Sequence, residues 1–109
     1  MPKLLSKQRI RQAAEFDSVI QQGKSLTSGC FVLFRKPTQL DYSRLGIIVS
    51  KKHCRLAVNR NRLKRIIREQ FRLHQQNFLG VDVVIMLKSP ADRWSAEERT
   101  QCIKNLFSS

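Results

Sequence analysis

Acidic residues are scarce in this sequence. Eight Asp and Glu stand against twenty-one Lys and Arg, a formal charge of +13. Self-repulsion on that scale opposes a compact state, so a polyanion is the natural partner, with nucleic acid ahead of an anionic membrane surface. Charge alone does not separate RNA from DNA. Cysteines are also few: Cys30, Cys54 and Cys102 make an odd count at wide spacing with no CxxC pair. That argues against a disulfide framework and a zinc site, and leaves buried thiols in a reducing cytosol. No apolar run approaches the roughly 20 residues that span a bilayer. Residues 1–12 lack the unbroken apolar segment of a signal peptide. A soluble, cytoplasmic protein with no membrane partner is expected.

Catalytic constellations are missing as well. His53 and His74 are far apart, and His74 falls on the apolar arc of a helix, where packing is its simplest role. Glu97 and Glu98 are adjacent, which sets their side chains about 100° apart on a helix. There is no phosphate-binding glycine loop, no HExxH and no Gly-x-Ser-x-Gly. Asp82 lies in an apolar strand, where pairing with a nearby base is expected rather than metal ligation. Neither autonomous catalysis nor a metal held by protein ligands is expected.

What is present fits a single domain over residues 1–109, with 41% hydrophobic residues to form one core. Residues 1–8 read as a mobile basic tail. A first helix is expected over 9–22, with Ala13, Phe16, Val19 and Ile20 at helical spacing and Gly23 as its stop. Residues 30–34 and 44–49 read as strands, and the loop between them, with Pro37, Asp41 and Ser43, predicts an antiparallel hairpin. A long helix without Gly or Pro is expected over 56–78, roughly 33 Å in length. Residues 81–87 form a strand apolar enough to be buried on both faces. Ser95 is positioned to cap a last helix over 95–107, with Cys102, Ile103, Leu106 and Phe107 facing inward. Helices at the faces and end of a small mixed sheet make an α+β sandwich with a βαβ crossover.

The long helix carries the strongest signal. At 100° per residue, Leu56, Leu63, Ile66, Ile67, Phe71 and Phe78 share one arc, and Asn61, Lys64, Arg65, Arg68 and Arg72 share another. Arg60 lies near the boundary and Arg62 toward the far side. With Lys51, Lys52 and Arg55, nine basic residues face one acid, Glu69, between positions 51 and 72. Like charges at Arg60/Lys64, Lys64/Arg68 and Arg68/Arg72 each cost a few tenths of a kcal/mol in an isolated helix. Phosphates lying between them would remove that repulsion. Guanidinium groups also grip phosphate bidentately and stack on unpaired bases.

At these residues the sequence resembles a known family. Gly46-Ile47-Ile48-Val49-Ser50-Lys51-Lys52, a short spacer, and then Ala57-Val58-Asn59-Arg60-Asn61-Arg62-Leu63-Lys64-Arg65-Ile66-Ile67-Arg68-Glu69 look like the signature of the bacterial ribonuclease P protein. Glu15-Phe16-Asp17-Ser18-Val19 with Gly23, Phe31-Val32-Leu33-Phe34, and Gly80-Val81-Asp82-Val83-Val84 with Lys88 and Pro90 extend the likeness over nearly the whole chain. The resemblance implies a two-layer α/β sandwich of ribosomal-protein-like build. Its βαβ crossover is left-handed, against the usual rule.

The function so implied is that of a subunit of an endoribonuclease whose RNA, with magnesium ions, removes the 5′ leader of precursor tRNA and leaves 5′-phosphomonoester ends. Lys51, Lys52, Arg55, Arg60, Asn61, Arg62, Lys64, Arg65, Arg68 and Arg72 would then serve the catalytic RNA. Phe16, Ile20 and Phe34, with Lys64 and Arg68, would line a cleft for the single-stranded leader, where bases stack on aromatics with little sequence preference. Core packing is the other reading of Phe16 and Phe34, and Phe31 reads as core. Ile20 stands where an aromatic is common. Two rivals share the basic charge: a structural RNA-binding protein such as a ribosomal component, and a DNA-binding module. The absence of a helix-turn-helix pattern and of a dimerisation element counts against DNA.

Overall fold

In the computed structural model, which describes residues 6–109, the sheet is built around its most apolar segment. Strand β4 (Val81–Leu87) carries Val83, Val84 and Ile85 without solvent exposure, so it requires neighbours on both edges. It pairs antiparallel with β2 (Phe31–Pro37) and parallel with β3 (Arg44–Ile48). A further strand, β1 (Lys24–Ser28), pairs antiparallel with β2, giving the order β1-β2-β4-β3.

One expectation fails here, and one strand was not foreseen. The segments at 30–34 and 44–49 do not form a hairpin, because β4 lies between them. They run antiparallel to each other, but the loop between them crosses the start of β4, where the Thr38 N–H donates to the Gly80 carbonyl at 2.7 Å. The hairpin is instead β1–β2. Its turn is Gly29–Cys30, with Ser28 opposite Phe31. Gly29 has φ 56° and Cys30 does not have positive φ, the pattern of a type II′ turn with glycine first. Strand β1 escaped sequence reading because it holds one large apolar residue, Leu26, which is exposed.

The helices begin and end somewhat differently from expectation. Helix α1 is Ala13–Gln22, not 9–22. Residues ahead of it lie along the free edge of β3: Arg9 bridges Leu45 in parallel, and the Ile10 N–H donates to the Leu45 carbonyl at 2.9 Å. Burial of Ile10 and edge pairing outweigh helix continuation there. The expected mobile tail covers residues 1–5, which lie outside the described residues, and Ser6–Gln8, which form a 3-10 turn. Gln8 is buried and its amide donates to the Ser43 carbonyl and to Gln75 Oε1, so residues 6–8 are held. Helix α2 is Ala57–His74, about 27 Å long, and its continuation tightens to a 3-10 turn over Gln75–Phe78. Helix α3 is Ala96–Ser108, with Ser95 and Glu98 forming a reciprocal capping box.

Alternation along the strands divides the molecule. Phe31, Leu33, Leu45, Val83, Ile85 and Leu87 pack with Leu63, Ile67 and Phe71 of α2 and with Ile103, Leu106 and Phe107 of α3. With α2 and α3 over this face, the sheet forms the expected α/β sandwich, with β3–α2–β4 as its crossover, and α1 covers the other face. Phe71, Phe78 and Phe107 form an aromatic trio with ring centroids 5.9–6.4 Å apart. Each buried phenyl contributes about 1.5–3 kcal/mol. On the opposite face, Val84 meets Ile10 and Val19, with Phe16, Ile20, Phe34 and Ile48 packed around them. All three cysteines are buried and free. Burial, and then the neighbouring Cys102, push the Cys30 thiol up to about 11.

Candidate nucleic-acid interface

Helix α2 separates its residues as the 100° spacing predicts. Leu63, Ile67 and Phe71 are buried; Asn61, Arg62 and Arg65 are exposed; Arg60, Lys64, Arg68 and Arg72 lie between. Lys51, Lys52 and Arg55, in the loop before it, are exposed. Leu56, assigned to the apolar arc, is instead the exposed N-cap residue, because the helix begins one residue later. Arg60 does not reach outward as a free cation. Its Nη1 donates to the Cys54 and Arg55 carbonyls at 3.0 and 2.8 Å, fastening the crossover loop to the helix.

Lys64 and Arg68 face a cleft of about 240 Å³ shared with Arg9, Ile10, Arg11, Phe16, Leu45 and Ile47. Burial lowers the Arg68 pKa, and the nearby cations Arg9 and Arg65 lower it further. Cations are thus crowded together at this wall of the cleft. The floor on the α1 side is apolar. Phe16 lies so close to Gly46 that a Cβ there would come 2.5 Å from Cε1 of the ring. Ile20 and Phe34 join Phe16 in the same apolar cluster. Phe16 therefore belongs to two groups, with Lys64 and Arg68 in the cleft and with Ile20 and Phe34 beneath α1. The last two do not line the cleft itself.

Sequence reading missed Arg9 and Arg11. The alternation Arg9-Ile10-Arg11 was the available signal: two cations flank one buried apolar residue, as in an extended segment. Two of the acids, Asp82 and Glu15, are engaged by another arginine. Arg44 Nε and Nη2 donate to the two oxygens of Asp82 at 2.8 and 2.5 Å, and Nη1 donates to Glu15 at 2.7 Å. Hydrogen bonding to Asp82, and then to Glu15, raises the Arg44 pKa against the opposing pull of burial. Asp82 thus pairs with a base, as expected, and two of the eight carboxylates are tied to one guanidinium. The same triad holds α1 to the sheet, aided by Lys36 Nζ donating to Ser18 Oγ at 2.7 Å. Among the described residues, no three His, Cys, Asp or Glu converge as metal ligands, and no helix is long and apolar enough to cross a membrane.

This arrangement has relatives. The sequence model of the family Ribonuclease P matches residues 4–109. The ribonuclease P protein component of Nitrosomonas europaea is 43% identical over 84 residues, covering 77% of this chain and 71% of that one. The one from Chromobacterium violaceum is 37% identical over 99 residues, 91% and 82% of the two chains. Among solved structures, the RNase P protein of Staphylococcus aureus superposes with a TM-score of 0.80 at 31% identity, covering 93% of each chain. That of Thermotoga maritima, in complex with 1-(4-fluorophenyl)-2-thiourea, gives 0.73 at 35% identity, covering 91% and 96%. With sequence and fold in agreement along its length, the chain belongs to the ribonuclease P protein family, the protein component of an endoribonuclease that works with RNA.

Proposed function

We propose that this subunit docks on the catalytic ribonuclease P RNA through the outer cations of α2 and the loop before it, and holds the single-stranded 5′ leader of precursor tRNA in the cleft beside Phe16. One observation carries the reading: Lys64 and Arg68 open onto the same cleft as Phe16, with Arg9 and Arg11. Cations for phosphates thus stand beside an aromatic ring for bases, the combination that binds single strands without reading sequence. The protein's part is positional and electrostatic. It brings substrate and catalytic RNA together and reduces phosphate repulsion, so the RNA needs less magnesium. The chemistry stays with the RNA and the Mg2+ held on its phosphates, in the cytoplasm.

Binding to bacterial ribonuclease P RNA over a range of salt tests this. With about six phosphates contacted, log K falls against log salt with a slope of roughly −4 to −5. Excess duplex DNA leaves the complex intact. Displacement by duplex DNA at equal nucleotide concentration contradicts the proposal.

A further inference from the structure

A larger cavity, about 990 Å³, opens at the start of α2. Its lining has no residue in common with the cleft beside Phe16. By helix rise, Asn59 on its wall lies roughly 7–14 Å along the axis from Lys64 and Arg68. Two segments distant in sequence build it: the crossover loop from Lys52 to Leu56, and the β4–α3 turn from Pro90 to Arg93, with Arg99 behind. A backbone hydrogen bond from Ala91 N–H to the His53 carbonyl, 2.8 Å, joins them. Arg99 braces the turn through the Ala91 and Trp94 carbonyls, as Arg60 braces the loop. These hydrogen bonds tie the two walls to each other and to the helices behind them.

The lining is strongly cationic and largely unpaired. Lys52, Arg55, Arg93 and Arg99 surround it with one carboxylate, Asp92. Lys52, Arg55 and Arg93 have no ion-pair or side-chain hydrogen-bond partner among the described residues. His53 Nδ1, in the same wall, is likewise without a partner there. The N-terminus of α2 also faces this side, and its N-cap Leu56 has no side-chain acceptor for the first-turn N–H groups. The rim is apolar in part. Leu56 is 62% exposed and stands with Pro90 at the cavity.

We propose that this cavity takes one unpaired nucleotide of the RNA partner. The phosphate is held by Lys52, Arg55 and Arg93, and the sugar and base lie against Leu56 and Pro90. The volume falls in the range of small-molecule sites and exceeds that of a bare phosphate. This contact rests on the RNA-docking reading above and adds to it a defined pocket fed by the β4–α3 turn.

The test is binding of the full chain to bacterial ribonuclease P RNA across roughly 0.1–0.4 M salt. Lys52→Ala/Arg93→Ala and Leu56→Ala are compared with Arg62→Ala. All four residues are exposed, and a thermal melt confirms that each variant folds. Lys52→Ala/Arg93→Ala should weaken binding about fivefold near physiological salt and make the salt slope shallower by about 1. Leu56→Ala should weaken binding with the slope unchanged. If the double variant keeps wild-type affinity and slope while Arg62→Ala weakens binding, the cavity is not an RNA contact. A loss in the double variant without one in Leu56→Ala reduces the site to a phosphate contact and overturns the nucleotide assignment. A wild-type protein with no salt-dependent preference for this RNA would instead sink the docking reading itself.

Discussion

Arg44 connects three elements through one guanidinium, and its surroundings make it costly to remove. Asp82 is 7% exposed, so Arg44→Met leaves a carboxylate without its partner in a nearly dry place. The expected loss is about 3 kcal/mol, read as a lower midpoint in urea denaturation. A midpoint unchanged within error would mean that water already satisfies Asp82. Gly46 acts at the same scale but on shape. A methyl group there meets the Phe16 ring at 2.5 Å, so Gly46→Ala must swing the ring away from the sheet. If the leader stacks on Phe16, precursor tRNA with a long leader should lose most of its affinity advantage over one with a short leader. Binding of the catalytic RNA should stay near wild type. An advantage that survives the substitution would return Phe16 to the core.

At the scale of elements, α2 carries a conflict between folding and binding. Lys64 has like charges four residues away on both sides, Arg60 and Arg68. Lys64→Gln should therefore raise stability, by about 0.4–1 kcal/mol for two relieved pairs, while weakening RNA binding. A melt showing destabilisation would mean that Lys64 packs rather than repels. The conflict was legible in the sequence because a helix writes its faces into a local period, and the same holds for the Ser95 cap of α3. Strand neighbours are not local. The run at 81–87 announced a strand buried on both faces, but nothing in its own residues said which two strands would flank it. The polar edge strand Lys24–Ser28 and the bridge from Arg9 to Leu45 likewise exist because another strand offers an open edge. The cleft was legible only through family likeness, which supplied Phe16, Lys64 and Arg68. Arg9 and Arg11 needed the fold to bring them there.

Across the whole molecule, charge is sorted rather than balanced. Glu15 and Asp82 are tied to Arg44 between α1 and the sheet, and Glu98 is engaged in the α3 cap. The outer side of α2, the loop before it and the N-terminal edge are left with cations. A surface of this kind attracts an RNA fold over a distance of about a Debye length, and the clefts then decide what is held. The most direct measurement is 5′ cleavage of a precursor tRNA by bacterial ribonuclease P RNA at limiting magnesium, with and without this protein. Strong stimulation is expected, diminished by shortening the leader or by replacing the Arg60–Arg68 cluster. A folded protein that binds the RNA and leaves the cleavage rate unchanged would contradict the account.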